Sequence, residues 1–198
     1  MPDSTPEMAR RGRPRSQHAD RAIIEATLEL FAESGAEGLL IEKVAARAGV
    51  GKATIYRRWP GKEDLLLDAL AALLSPLPAP KGESVRDDLV AIVEALRVES
   101  ADPRRVRQFA LLLGEGDRYP RLLARYVEAV VEPRREAVRS VLRRGVATGE
   151  LRDGVHIETA VDMLTGAVLA RARRRHDRAE RGYARRVVDE MLTGMASR

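Results

Sequence analysis

The sequence predicts an all-α fold of about nine helices, with an N-terminal three-helix domain and a larger C-terminal helical domain. Three observations predict it. Ala, Leu, Val, Arg and Glu dominate, while aromatics make up only 4% of the 198 residues; strands favour aromatic and β-branched side chains. Apolar residues recur at helical spacing, and no stretch alternates with period two for long. Three prolines fall in the eight residues Ser75–Gly82, which makes a stiff connector between two helical regions.

Residues 1–18 are polar and contain Pro2, Pro6, Gly12 and Pro14, so they read as a flexible arm. Arg10, Arg11, Arg13 and Arg15 make this arm basic. Helix one is expected from about Asp20 to Ser34, with Ile23, Ile24, Thr27, Leu28, Leu30 and Phe31 on one face. Asp20 is a plausible cap and Gly35 a plausible stop. Helix two runs from about Ile41 to Ala48, with Val44, Ala45 and Ala48 inward, and Gly49 ends it. Helix three runs from about Lys52 to Arg58, and Pro60 forbids its continuation. Helix four starts near Lys62 and carries Leu65, Leu66, Ala69, Leu70 and Leu73.

Beyond the connector five more helices are expected: 84–100, 103–113, 120–148, 157–176 and 179–194. The long one keeps an apolar stripe through Leu122, Tyr126, Val130, Ala137, Val141 and Leu142, and Pro133 inside it should kink it. The resulting organisation is a basic arm (1–18), a helix-turn-helix domain (19–62), a connecting helix with the Pro-rich linker (63–83) and a C-terminal helical domain (84–198).

Composition excludes several kinds of chemistry. There is no cysteine, hence no disulfide, thiolate metal site or cysteine nucleophile. His18, His156 and His176 lack metal-ligand spacing. No Gly-rich phosphate loop is present, and the acids are spread along helix faces. No enzyme activity, cofactor or metal is expected. The absence of a bilayer-length apolar run and of a signal-peptide core near Met1 predicts a cytoplasmic protein with no membrane partner. The net charge of +5 and pI near 9.9 invite a polyanion.

The window Ile41–Arg58 carries the functional signal. Two helices that cross steeply over a short turn need a small residue where they touch, which Ala45 supplies. They need a residue that accepts the left-handed conformation at the turn, which Gly49 supplies. They also need apolar residues gripping the second helix, which Val44, Val50 and Ile55 supply. From Lys43 to Lys62 stand six bases (Lys43, Arg47, Lys52, Arg57, Arg58, Lys62) and no acid. A phosphate backbone rewards such a cluster through counterion release.

The stretch from Arg21 to Leu70 resembles the TetR/AcrR family of bacterial repressors. The resemblance rests on residues 26–35 (ATLELFAESG), 44–50 (VAARAGV), 54–57 (TIYR) and 62–65 (KEDL). It implies a homodimer that binds a palindromic operator in double-stranded DNA, represses transcription and is released by a small-molecule ligand. The rival classes are a non-specific architectural DNA-binding protein and a helical adaptor with no DNA role. By the resemblance, Lys52, Thr54, Tyr56 and Arg57 belong to the recognition helix, with Lys52 at the end that reaches base edges. The Tyr56 hydroxyl and Lys62 amine take phosphate-contacting places. Arg57 either reads guanine or neutralises phosphate, and Arg58 adds charge. Gly51 stands where the family often has Ser or Thr, so a side-chain cap is missing there. Leu40 stands where the family often has a Thr that caps helix two and touches phosphate, a contact that is then absent or made elsewhere, for example by the backbone amides at the helix start. Arg11 and Arg13 lie in an Arg-Gly-Arg-Pro segment that either enters an A·T minor groove or forms a solubilising tail.

In the C-terminal domain the resemblance implies a dimer seam on the last two helices: Val161, Leu164, Thr165, Val168 and Leu169, then Val187, Val188, Met191 and Leu192. Gly166, Ala167 and Ala170 would allow close approach. Phe109, Leu113, Tyr119, Leu122, Tyr126 and Met163 are the candidate ligand-pocket residues, with Arg107 and Gln108 as polar additions. Eight arginines between Arg171 and Arg186 face only Asp177 and Glu180. They either bind an anionic partner or form a solvated rim.

Overall fold

The structure, a computed structural model, describes residues 14–172 and 181–194. It divides into two compact units, Met1–Ala69 and Leu70–Arg198. The helices are α1 (Pro14–Gly38), α2 (Ile41–Ala48), α3 (Lys52–Tyr56), α4 (Lys62–Ala72), α5 (Val85–Ala101), α6 (Pro103–Gly114), α7 (Pro120–Tyr126), α8 (Glu132–Ala147), α9 (Ile157–Ala172) and α10 (Tyr183–Thr193). A π-helical segment, Val127–Val131, joins α7 to α8. With that continuous stretch counted as one, the described residues hold nine helices, as the sequence predicts.

In the first unit α1 packs on α2 and α2 on α3. The core is Ile23, Ala26, Leu30 and Phe31 of α1, Val44 and Ala45 of α2, Ile55 of α3, and Leu65 and Leu66 of α4. Thr27 is buried among them, and its hydroxyl donates to the Ile23 carbonyl at 2.7 Å. Helix one begins at Pro14, six residues earlier than the expected Asp20. Proline suits a first helical turn because its absent N–H would have had no partner there, and no breaker stands between Arg15 and Ala19. Residues 14–18 therefore belong to α1 and not to an arm. Gly35, at φ 66° and ψ −170°, interrupts α1 where the sequence places a stop.

In the second unit α5 is central and packs against α6, α8, α9 and α10. Val85, Leu89, Ile92 and Val93 of α5 share a core with Val138, Val141 and Leu142 of α8, Val161, Leu164 and Val168 of α9, and Val188 and Met191 of α10. Proline at the starts of α6 and α7 and the Ser84 and Asp102 side-chain caps define the helix beginnings. The expected disturbance at Pro133 takes the form of the π segment just before it. There the Glu132 amide donates to the Val127 carbonyl, five residues back, directly before the proline that has no amide to donate.

A candidate nucleic-acid interface

The turn between α2 and α3 has a definite hydrogen-bond logic. Gly49 adopts φ 66° and ψ 33°, a left-handed geometry that costs a residue with a Cβ. The Val50 amide donates to the Ala45 carbonyl at 3.0 Å, and the Gly49 amide to that of Ala46 at 3.3 Å. This pair of bonds closes the C-terminus of α2 in a Schellman motif. Gly51 then runs extended and caps α3 without a side chain, as Leu40 does for α2. Backbone bonds continue from Arg57 and Arg58 back to Ala53 and Ile55, so the helical turn persists past Tyr56.

Ile55 is fully buried and anchors α3. Lys52, Ala53, Tyr56 and Arg57 are exposed, and their spacing of one and four residues puts them on one face. Thr54 is half-buried. The α3 helix thus presents two cations and a phenol to solvent.

The cationic window is less free than its sequence suggests. Arg47 makes a bidentate contact with Glu33 of α1, at 2.7 and 3.0 Å. That guanidinium holds the Glu33 carboxyl below the usual carboxylate range. Arg58 turns inward, with its Nε 2.6 Å from Asp20 of α1 and its Nη1 donating to the Thr54 carbonyl. The Lys62 ammonium, half-buried, donates to the Ala36 carbonyl at 2.8 Å. Lys52 lies 3.2 Å from Glu42. The acids come from α1 and from the residue just before the window, where a count along the chain does not see them. Arg58 and Lys62, both expected at DNA, are engaged within the fold. Arg11 and Arg13 lie outside the described residues.

Sequence reasoning passed over Trp59. It is buried, and its indole Nε1 donates to Asp68 of α4 at 2.7 Å. It fixes the exit of α3 against the start of α4. The signal was available: the chain's one tryptophan stands directly before Pro60, at the end of the cationic helix.

In the second unit a cleft of about 410 Å³ is lined by Ser75, Glu94, Ala95, Val98, Glu99, Asp102 and Arg105. None of the six expected pocket residues lines it. Leu122 and Tyr126 are buried, and the Tyr126 ring lies 6.0 Å from that of half-buried Phe109. Tyr119 is half-buried. Leu113 and Met163 are instead exposed, at 42% and 56%, because each points away from its helix's core-facing stripe. Of the expected seam, Val161, Leu164, Val168, Val188 and Met191 are buried within the chain itself. The exposed residues of α9 include Met163, Gly166, Leu169 and Ala170, beside the charged Glu158 and Asp162. Half of the basic stretch from Arg171, residues 173–180, lies outside the described residues; Arg171 itself stacks 4.2 Å from the Tyr183 ring centre. Among the described residues no cluster of His, Cys, Asp or Glu suits a metal, and no helix is long and apolar enough to cross a membrane.

Residues 23–69 match the family model described as bacterial regulatory proteins, tetR family. Residues 79–191 match that of the tetracyclin repressor-like C-terminal domain. The chain belongs to the TetR family. It is 30% identical over 190 residues to the HTH-type transcriptional regulator YdeS of Bacillus subtilis, covering 94% of each chain. Among solved structures, the TetR family transcription regulator SCO0332 superposes with a TM-score of 0.63 at 27% identity, over 91% of this chain and all of that one. NalD, the secondary repressor of the MexAB-OprM multidrug efflux pump in Pseudomonas aeruginosa, shares the fold at a TM-score of 0.65 and 20% identity, over 91% and 98% of the two chains. As a TetR-family member the protein is a DNA-binding transcriptional regulator, and the α2–α3 pair is its helix-turn-helix.

Proposed function

We propose that the protein is a homodimeric cytoplasmic repressor that binds a palindromic operator through α3 and leaves it when a small molecule binds the C-terminal unit. The observation that carries this reading is the exposed face Lys52–Ala53–Tyr56–Arg57 on a helix anchored by buried Ile55. Lys52 and Arg57 read base edges, with guanine the natural partner of Arg57. Tyr56 and Thr54 hydroxyls contact phosphate and fix the register. Arg11 and Arg13 reach the neighbouring minor groove. The outer face of α9, with Met163 and Leu169 exposed, joins two copies, since a palindromic site asks for a two-fold protein. The cleft beside Ser75 and Glu99, with Phe109 and Tyr126 further along the unit, is the region for a ligand. A ligand that prefers the arrangement unsuited to the operator lowers operator affinity by that preference.

The test is selection of bound fragments from the source genome, followed by anisotropy titrations on the selected duplex. Arg57→Ala should cost about 1–3 kcal/mol on that duplex. A wild-type protein that binds no duplex at low salt, or binds all duplexes equally, overturns the reading.

A further inference from the structure

Three of the six bases between Lys43 and Lys62 face an acid, and the three pairs are unlike. Arg47–Glu33 and Arg58–Asp20 tie α2 and the end of α3 back to α1. Lys52–Glu42 joins the first turn of α2 to the first residue of α3, and both side chains stay open to solvent, at 54% and 61%. From this geometry, and resting on the assignment of α3 as the DNA-reading helix, we infer that Glu42 is a specificity-determining residue. It withholds Lys52 from phosphate and releases it to a paired base-edge acceptor.

A carboxylate in the first turn of a helix is favoured by the exposed amides there. Hydrogen bonding to its own amide and to Lys52 holds the Glu42 carboxyl below its ordinary 4.5, so it is ionised at neutral pH as an exposed glutamate is. It is therefore a fixed negative charge on a surface that meets a polyanion. On an arbitrary duplex, Lys52 can gain a phosphate only by giving up Glu42, and the freed carboxylate then repels that phosphate. The exchange is close to neutral. Guanine offers two acceptors, O6 and N7, deep in the major groove, where an ammonium is bound without bringing the carboxylate onto the backbone. Glu42 thus weakens binding everywhere and weakens it least where a guanine lies under Lys52. Arg57, directly after the last residue of α3, has no such restraint among the described contacts, so the two cations of this face are not equivalent.

The experiment uses the full chain and its Glu42→Gln, Glu42→Asp, Lys52→Ala and Glu42→Gln/Lys52→Ala variants. Each is titrated by anisotropy against a random-sequence duplex and the genome-selected duplex over a range of salt. Glu42→Gln should tighten random-duplex binding about two- to fivefold, the worth of one exposed pair, and tighten the selected duplex less. Its random-duplex salt dependence should steepen by about 0.9, one added phosphate contact. Glu42→Asp should stay near wild type, and the gain should vanish in the Lys52→Ala background. An equal change on both duplexes, a gain that survives without Lys52, or weakened binding with a lowered melting temperature overturns the inference. If the wild type binds random duplex with a steep salt dependence and Glu42→Gln changes nothing, only this inference falls. If the wild type binds no duplex, the assignment of α3 falls and takes this inference with it.

Discussion

Arg144 of α8 donates to Asp88 of α5 across 2.6 Å, and Asp88 is 4% exposed. The same carboxylate accepts the backbone amides of Lys81 and Gly82, at 2.7 and 3.0 Å. One buried acid thus ends the Pro-rich connector, starts α5 and anchors α8. Burial opposes its ionisation, but the two amides and the guanidinium prevail and hold its carboxyl below the ordinary 3.8. Asp88→Ala leaves a half-buried cation and two amides without their acceptor, so it should destabilise the second unit by about 3–5 kcal/mol in urea. A depressed folded-state pKa gives stability that is present above pH 3.8 and lost as pH falls through the folded value. The gap between wild type and Asp88→Asn should therefore narrow below pH 3.8. A gap that is constant with pH, or an Asp88→Ala chain as stable as wild type, rejects this role.

Gly49 supports a prediction free of steric crowding. A Cβ placed there meets nothing within 4 Å, yet φ is +66°. Gly49→Ala should then cost about 1–2 kcal/mol from backbone strain alone, and Gly49→Asn should cost less, because asparagine tolerates the left-handed region. Trp59 lies in the same unit, so its fluorescence reports the transition. A neutral Gly49→Ala would mean that the turn relaxes out of this geometry.

These residues mark what the sequence could and could not yield. Gly49, Pro103 and Pro120 define helix ends by local backbone chemistry, and the structure has helices ending or starting at each. Ile55 was legible as the inward anchor because periodicity fixes a face. The pairing of Arg58 with Asp20 was not, since the two are far apart in the chain and meet only when α1 and α3 pack. The expected seam on α9 is divided, for a different reason. That helix is apolar on most sides, so spacing alone cannot say which side the chain covers. Val161, Leu164 and Val168 face the core, and Met163 and Leu169 face out.

Glu158 of α9 gives a second pH signature. Arg139 of α8 approaches it at 2.5 and 3.0 Å and Arg135 at 3.3 Å. Their hydrogen bonds lower its carboxyl to about 2. Its contribution to the α8–α9 junction is complete above its ordinary 4.5 and declines as pH falls toward 2. Carboxyl-carbon NMR should show Glu158 titrating near 2 in wild type and shifting upward in Arg139→Gln. A midpoint near 4.5 in wild type would show that this exposed network is screened away in solution.

The outer face of α9 provides the sharpest test of assembly. Met163, Gly166, Leu169 and Ala170 recur at three- and four-residue spacing, so they form one stripe. Large Met163 and Leu169 alternate with small Gly166 and Ala170, and small residues let helices of two copies approach closely. Met163→Asp and Leu169→Asp place charge on side chains that are 56% and 46% exposed in the single chain. Neither should unfold the unit, and together they should yield a helical monomer by sedimentation. Val161→Asp is the contrast, because that residue is fully buried and a charge there has no partner, so helicity itself should be lost. If the double variant sediments like wild type, the two-fold axis lies elsewhere. If it is a monomer that still grips the selected palindrome at full affinity, dimerisation is not what brings two α3 helices to successive grooves.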